Sequence, residues 1–203
     1  MPPLTYYIRK AFILICSLLT LSGCAQQLKP VAENKPEEAV AADAFQAEIT
    51  QYNRAISYLE RDKFDQAESI FINFTQNRPD LAGPWANLAL IEFKRGNIDA
   101  AEKLTINALK KNPDMAQALN LSGLIEKEKG NIKQALLRFQ QAIQHDGDYA
   151  IAHYNLALLY DVYLQNIVEA VKHYQHYLKI INYSDEQTVN WLEELKYSLP
   201  NNS

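Results

Sequence analysis

The chain has 203 residues, of which 48% are apolar, a formal net charge of −4, and only six glycines and eight prolines. That length holds one or two ordinary domains, the apolar share suffices for a packed core, and few helix breakers favour helices. No basic stripe is present, which argues against nucleic acid as a partner, and the only cysteines, Cys16 and Cys24, leave the remainder without a disulfide framework or a Cys-based metal site.

Arg9-Lys10 closes a short positive start, and Ala11 to Leu21 follows as a largely apolar run of eleven residues. Crossing a bilayer needs roughly 20 residues, so the run fits the core of a secretory signal peptide instead. Leu21-Ser22-Gly23-Cys24 comes next. This resembles the bacterial lipoprotein box, in which the cysteine is linked to diacylglycerol and the peptide is cut just before it. The resemblance implies a signal peptide over residues 1–23 and Cys24 as the lipidated first residue of the mature chain. Acyl chains, at about 0.8 kcal/mol per buried CH₂, would hold a soluble domain on a membrane. Ala25 stands where enteric lipoproteins retained at the inner membrane carry Asp. Carried over, the address is the periplasmic face of the outer membrane, where the source has one. Residues 24–40 then form the anchor and a flexible linker, polar, with Pro30 and Pro36, reaching on the order of 20 Å.

The stretch Ala82 to Met115 is the clearest unit of the remainder. Trp85, Leu88, Ala89 and Ile91 share one helical face, Gly96-Asn97 breaks the pattern, and Ala101, Leu104, Ala108 and Leu109 share a second face before Pro113. Its features repeat every 34 residues: Pro79, Pro113 and Gly147 as stops, Ala67, Ala101 and Ala135 in second helices, and Ala55, Ala89, Gly123 and Ala157 in first helices. Ala170 comes one residue late, implying an insertion in the fourth turn. Small residues suit places where helices cross closely, and Phe71, Phe139 and Tyr174 are expected to fill the gaps between pairs. Gly96 and Gly130 supply the left-handed residue at a helix end, whereas Asp62-Lys63 and Tyr163 to Asn166 replace them in the outer turns, which are expected to be looser or longer.

This period and pattern resemble the tetratricopeptide repeat family. The fold implied is all-α: a solenoid of about four helix-turn-helix repeats over residues 41–183, near 48–81, 82–115, 116–149 and 150–183. Residues 184–203 add a capping helix, with Ser184 as its cap and Gln187 completing a capping box, and a loose tail from Pro200. Ala42 to Glu60 reads as one longer helix. Trp85 is expected to pack against the preceding unit.

In that family the first helix of each pair lines a concave groove. Mapped by repeat position, the groove takes Tyr52, Ile56 and Leu59 from the first unit and Leu90, Phe93 and Lys94 from the second. Asn120 and Lys127 come from the third, Tyr154 and Asp161 from the fourth. The set is mixed and apolar. The positions that clamp a C-terminal carboxylate in chaperone-binding relatives hold Ile49, Tyr52, Gly83, Ala86, Gln117 and Asn120, so a peptide with apolar anchors is the better fit. His153, His173 and His176 are the one cluster with ligand-like spacing. No HEXXH, nucleophile elbow or glycine-rich phosphate loop is present, and an exposed polar helix face is the expected place for these histidines. The expectation is no catalysis, no metal and no cofactor. The chain reads as a lipid-anchored scaffold binding a segment of an envelope protein, architecturally similar to lipoproteins of pilus-secretin assembly or of hydrolase docking. A self-associating structural lipoprotein, such as a homodimer, is the alternative, and a metal-binding protein is a more distant one.

Overall fold

A computed structural model describes residues 37–199. The stretch read as a signal peptide, Cys24, most of the stretch read as a linker and the tail from Pro200 lie outside the described residues. Among the described residues there are nine α-helices and no strand: α1 Glu37–Glu60, α2 Phe64–Asn77, α3 Ala82–Lys94, α4 Ile98–Lys111, α5 Ala116–Glu128, α6 Ile132–His145, α7 Ala150–Leu158, α8 Ile167–Ile180 and α9 Glu186–Ser198. No helix among them is long and apolar enough to cross a membrane. α1 starts inside the stretch read as linker, where Ala39, Ala41 and Ala42 are strong helix formers.

The compact unit runs from Asp43 onward. Its helices pair as α1/α2, α3/α4, α5/α6 and α7/α8, with α9 packed on α8, and each second helix also packs on the next first helix. First helices are therefore sandwiched. α5 buries Ala116, Ala118, Leu119, Asn120, Leu121, Gly123 and Ile125, whereas α6 buries only Ala135, Phe139 and Ala142 and turns its other face to water.

The recurring small residues are the crossing points. Ala55, Ala67, Ala89, Ala101, Ala135, Ala157 and Ala170 are fully buried. Beside them lie the rings of Phe71, Phe139 and Tyr174. At the matching place in α4 stands Thr105, buried, its hydroxyl donating back to the Ala101 carbonyl at 2.8 Å.

The turns close in two ways. Gly96 and Gly130 adopt φ of 81° and 79°, and the next residue clips back: Asn97 N–H to Glu92 O at 2.9 Å, Asn131 N–H to Glu126 O at 2.8 Å. The first turn is not looser, contrary to expectation. Asp62 takes φ 53° without glycine, and Lys63 N–H reaches Tyr58 O at 2.9 Å, the same closure. Asp tolerates the left-handed region better than most residues. In the fourth unit the extra residue is absorbed by the helix rather than by the loop after it. α7 runs into a π-helical turn, Leu159–Tyr163, with Leu164 N–H on Leu159 O at 3.1 Å. The closing bond, Asn166 N–H to Tyr160 O at 2.9 Å, spans six residues instead of five. Such a turn adds one residue without breaking the backbone ladder.

Two further expectations are corrected. Asp185, not Ser184, caps α9: its carboxylate accepts from Thr188 N–H at 3.1 Å, from the Thr188 hydroxyl at 2.7 Å and from the Tyr177 hydroxyl at 3.1 Å. A charged acceptor next to the helix N-terminus outcompetes a hydroxyl. Trp85 packs against the cluster of Ala86, Ala108 and Ala118, in its own unit and the next, while its indole N–H bonds back to Pro79 O at 3.3 Å.

A Cβ at Gly123 would lie 2.5 and 2.6 Å from carbons of the Phe139 ring, which is itself fully buried and cannot swing away. Gly123→Ala should therefore destabilise the fold by about 1–3 kcal/mol, the usual penalty of overpacking. Adding Phe139→Leu should recover part of that loss. Chemical denaturation followed by circular dichroism checks both.

Candidate functional site

The sandwiched first helices leave a hollow of about 740 Å³ on the face formed by α1, α3 and α5, closed at one side by Tyr149 and Ile151. Tyr52, Ile56, Leu90, Lys94 and Asn120 line it, as do Ala86, Asn87, Gln117 and Leu124. Its walls are thus mostly aliphatic and amide, with two tyrosines and one ammonium. That ammonium faces Asp62 at 3.4 Å.

The other groove candidates lie elsewhere. Leu59 is buried with Ala55, Ala67, Phe71, Leu88 and Ile91, so it stiffens the first pair instead of offering surface. Phe93 packs beside Ala89, Ala101, Leu121 and Ile125, filling the step between the second and third units. Lys127 pairs with its neighbour Glu128 at 3.1 Å. Tyr154 lines a second hollow with α9, and Asp161 accepts from the Trp191 indole N–H at 2.8 Å.

Tyr52 both lines the hollow and wedges the first two units together. Its ring meets Phe71 and Phe74 edge-on at 5.6 and 5.4 Å, and its hydroxyl accepts from Asn87 Nδ2 at 2.9 Å. Burial pushes the phenol up. Asn155 Nδ2 donates to Asn120 Oδ1 at 2.9 Å and links the third and fourth units in the same way. The surface is therefore pre-set in part, by amide side-chain hydrogen bonds between the first helices of units one and two and of units three and four.

Trp191 is absent from the groove residues mapped by repeat position. A signal exists in the sequence: Gln187, Asn190, Trp191 and Glu194 form a stripe at helical spacing on the face of α9 away from Leu192 and Leu195, and all four line the second hollow.

His176 lies on the exposed face expected of it, whereas His153 and His173 depart from it. His153 is buried at 4% exposure. Its Nε2 lies 3.1 Å from Gly147 O, which can only accept, so Nε2 carries the proton and Nδ1 is left as acceptor. His173 Nδ1, 3.0 Å away, then donates to it. The His176 ring stacks on His153 at 4.2 Å, and Tyr160 stacks on His173 at 5.9 Å. Among the described residues no group of three or more His, Cys, Asp or Glu could hold a metal. The pair is a neutral bridge between α7 and α8. Burial lowers both groups, His173 from 6.5 to about 4, with like charge from His153, Lys172 and His176 adding to it and Glu169 opposing it.

Tetratricopeptide repeat models match residues 52–104 and 86–131, and a further TPR repeat model matches residues 123–161. Together they run from the first helix pair to the π-helical turn, more than half of the chain, and it belongs to the tetratricopeptide repeat family. Arrays of this family are protein-interaction scaffolds. PilF of Pseudomonas aeruginosa is similar in structure, with 21% identity, a TM-score of 0.65, and coverage of 75% of this chain and 68% of that one. TTC0263, a thermophilic TPR protein of Thermus thermophilus, has 19% identity and a TM-score of 0.63 over 79% of this chain and 87% of its own. YrrB, described as a TPR protein with an unusual peptide-binding site, has 18% identity and a TM-score of 0.54 over 72% and 75%. At these identities the likeness establishes the fold. No curated protein matches the chain.

The histidine bridge has a calculable sign. A base whose pKa is depressed on folding binds fewer protons in the folded state. Its contribution is full above its unfolded value of 6.5 and is lost as pH falls towards about 4. The melting temperature should fall between about pH 7 and about pH 5, and more steeply than in His173→Gln, whose amide can keep the donor without titrating. Thermal melts of both chains across that window measure the difference.

Proposed function

We propose that this chain is a membrane-anchored scaffold whose concave face takes an extended segment of a cell-envelope protein. The observation that carries the reading is the hollow of about 740 Å³ across three first helices. Its aliphatic floor offers anchors for apolar side chains, and the amides of Asn87, Asn120 and Gln117 offer partners for a main chain. The single ammonium in its lining does not make a carboxylate clamp. YrrB's description as carrying a peptide-binding site supports this use of the fold.

Placement at the periplasmic face of an outer membrane is inferred from the lipoprotein box at Cys24 and from Ala25 after it. Confinement there raises the effective concentration of groove and partner, so a weak contact suffices. The work is binding without catalysis. Assembly of a pilus, a secretion channel or a cell-wall complex is the class of process that uses such an adaptor.

Ile151 and Gln117 line the hollow and are exposed, so substituting them leaves the core alone. A photocrosslinking residue at Gln117 should capture an envelope protein in intact cells, and one at the outward Lys133 should not. Ile151→Glu with Gln117→Glu should reduce that capture by at least about tenfold, equivalent to roughly 1.4 kcal/mol, with the helical signal unchanged. Equal capture at both positions would place the working surface elsewhere.

Cys24→Ser should leave the chain unprocessed or free of the membrane fraction. Normal processing with membrane retention would remove the anchor from the proposal.

A further inference from the structure

The second hollow, of about 510 Å³, lies between α7, α8 and α9. Tyr154 from α7 and Trp191 from α9 line it, and Tyr174, itself buried, adds to the lining. Asp185 and Glu194 stand at its edge, and Asp161 holds the Trp191 indole at 2.8 Å. Among the described residues, no Lys, Arg or His lines it.

The charge balance here differs from the rest of the array. Elsewhere carboxylates cross to basic side chains, as Glu68 does to Arg95 at 2.9 Å and Glu102 to Lys129 at 2.7 Å. Among the described residues, Asp161, Asp185 and Glu194 form no ion pair. Two basic groups on α8 and α9 are engaged with other acids, Lys172 with Glu169 at 3.3 Å and Lys196 with Glu193 at 2.7 Å, and Lys179 lines a different hollow. Asp185 is held below its usual range by the Thr188 hydroxyl and N–H, so it stays anionic. The tyrosines register the field. Burial first, then the Asp161 charge, pushes the Tyr174 phenol up, and burial with the Asp185 bond does the same at Tyr177.

Aromatic rings beside Asp161 and Glu194, carboxylates without an ion-pair partner, attract an organic cation, whereas Asp185 is already held by Thr188 and Tyr177. The ring quadrupoles present their negative faces, and the carboxylates supply the balancing charge. The hollow also continues the groove. Ile151 lines the central hollow, and Tyr154 and Leu158, on the same helix, line this one. The first step along α7 is about 5 Å, which one or two residues of an extended chain span. We infer that the Tyr154–Tyr174–Trp191 hollow is a subsite for a basic side chain, arginine or lysine, carried by the segment that the groove captures. The inference rests on the groove reading above. It adds a charge requirement: the segment has apolar anchors followed by a cation.

The test uses the full chain in detergent, with the indole N–H of Trp191 and the methyls of Ile151 as separate nuclear magnetic resonance reporters. The probes are a peptide carrying two leucines followed by one arginine, its citrulline counterpart, which is isosteric and uncharged, and methylguanidinium alone. The arginine peptide should shift Trp191 saturably and bind at least about fivefold more tightly than the citrulline peptide. Asp161→Asn with Glu194→Gln, which keeps the acceptor for Trp191, should erase that preference. Equal binding of the two peptides, or a preference that survives the double substitution, overturns the subsite. Methylguanidinium binding as tightly as the arginine peptide overturns the role of the segment. A shift at Ile151 without one at Trp191 leaves the groove standing and removes this subsite. A charge-dependent shift at Trp191 without one at Ile151 keeps the cation site and removes the groove.

Discussion

Close helix crossing over residues without bulk is the constraint on which the structure depends. Ala55 and Ala67 share one buried cluster, Ala89 and Ala101 a second, and Ala157 and Ala170 a third. In the remaining pair even a methyl is too much, and Gly123 lies against the Phe139 ring. Once the helices approach this closely, the next larger residues have only one place to go. Phe71, Phe139 and Tyr174 fill the space beside the crossing, and the first helices are left with a second face turned to the concave side. Packing of the second helices thus determines which residues of the first can meet a partner.

Much of this is legible in the sequence because the repeat multiplies a weak signal. One alanine at a helix position says little, whereas Ala67, Ala101 and Ala135 at equal spacing define a register. The glycines at 96 and 130 are readable for the same reason, and their positive φ values agree. Where the repeat lapses, legibility falls. The extra residue before Ala170 is visible, but its destination is not, since a π-helical turn and a longer loop have the same sequence length. Ser184 and Asp185 both cap well in isolation; Tyr177 and Thr188, brought in by the tertiary fold, favour Asp185. Groove assignments by position assume that every first helix presents the same face. Leu59 and Phe93 break that assumption because their own units need them for packing. His153 is a further case: its partner His173 lies twenty residues away, and no local pattern announces a bridge between ring nitrogens.

The concave side emerges as two chemically different compartments. The central one is largely aliphatic and amide-lined, with Tyr52 and Tyr149 in its walls and a single ammonium, and it is tied by Asn87 to Tyr52 and by Asn155 to Asn120. The second is aromatic and acidic, and it exists because α9 lies against the fourth pair with Trp191 turned inward. A helix read as a cap over exposed core is also a wall of the surface. An array end therefore shapes the surface here as much as an inner repeat does.

The ion pairs between successive turns lead to a last consequence. Arg95 reaches back to Glu68 and Asp65, and Lys129, 34 residues on, reaches back to Glu102. At the third junction the matching stretch is Tyr163-Leu164, exposed and uncharged. In a linear array each junction carries its own coupling to its neighbour. Two of these couplings contain a part that dissolved ions screen, and the third does not. Ionic strength therefore acts on this protein as a dial on the hierarchy of its junctions. At low salt the first two are reinforced relative to the last, and at high salt the ranking narrows without any contact being cut.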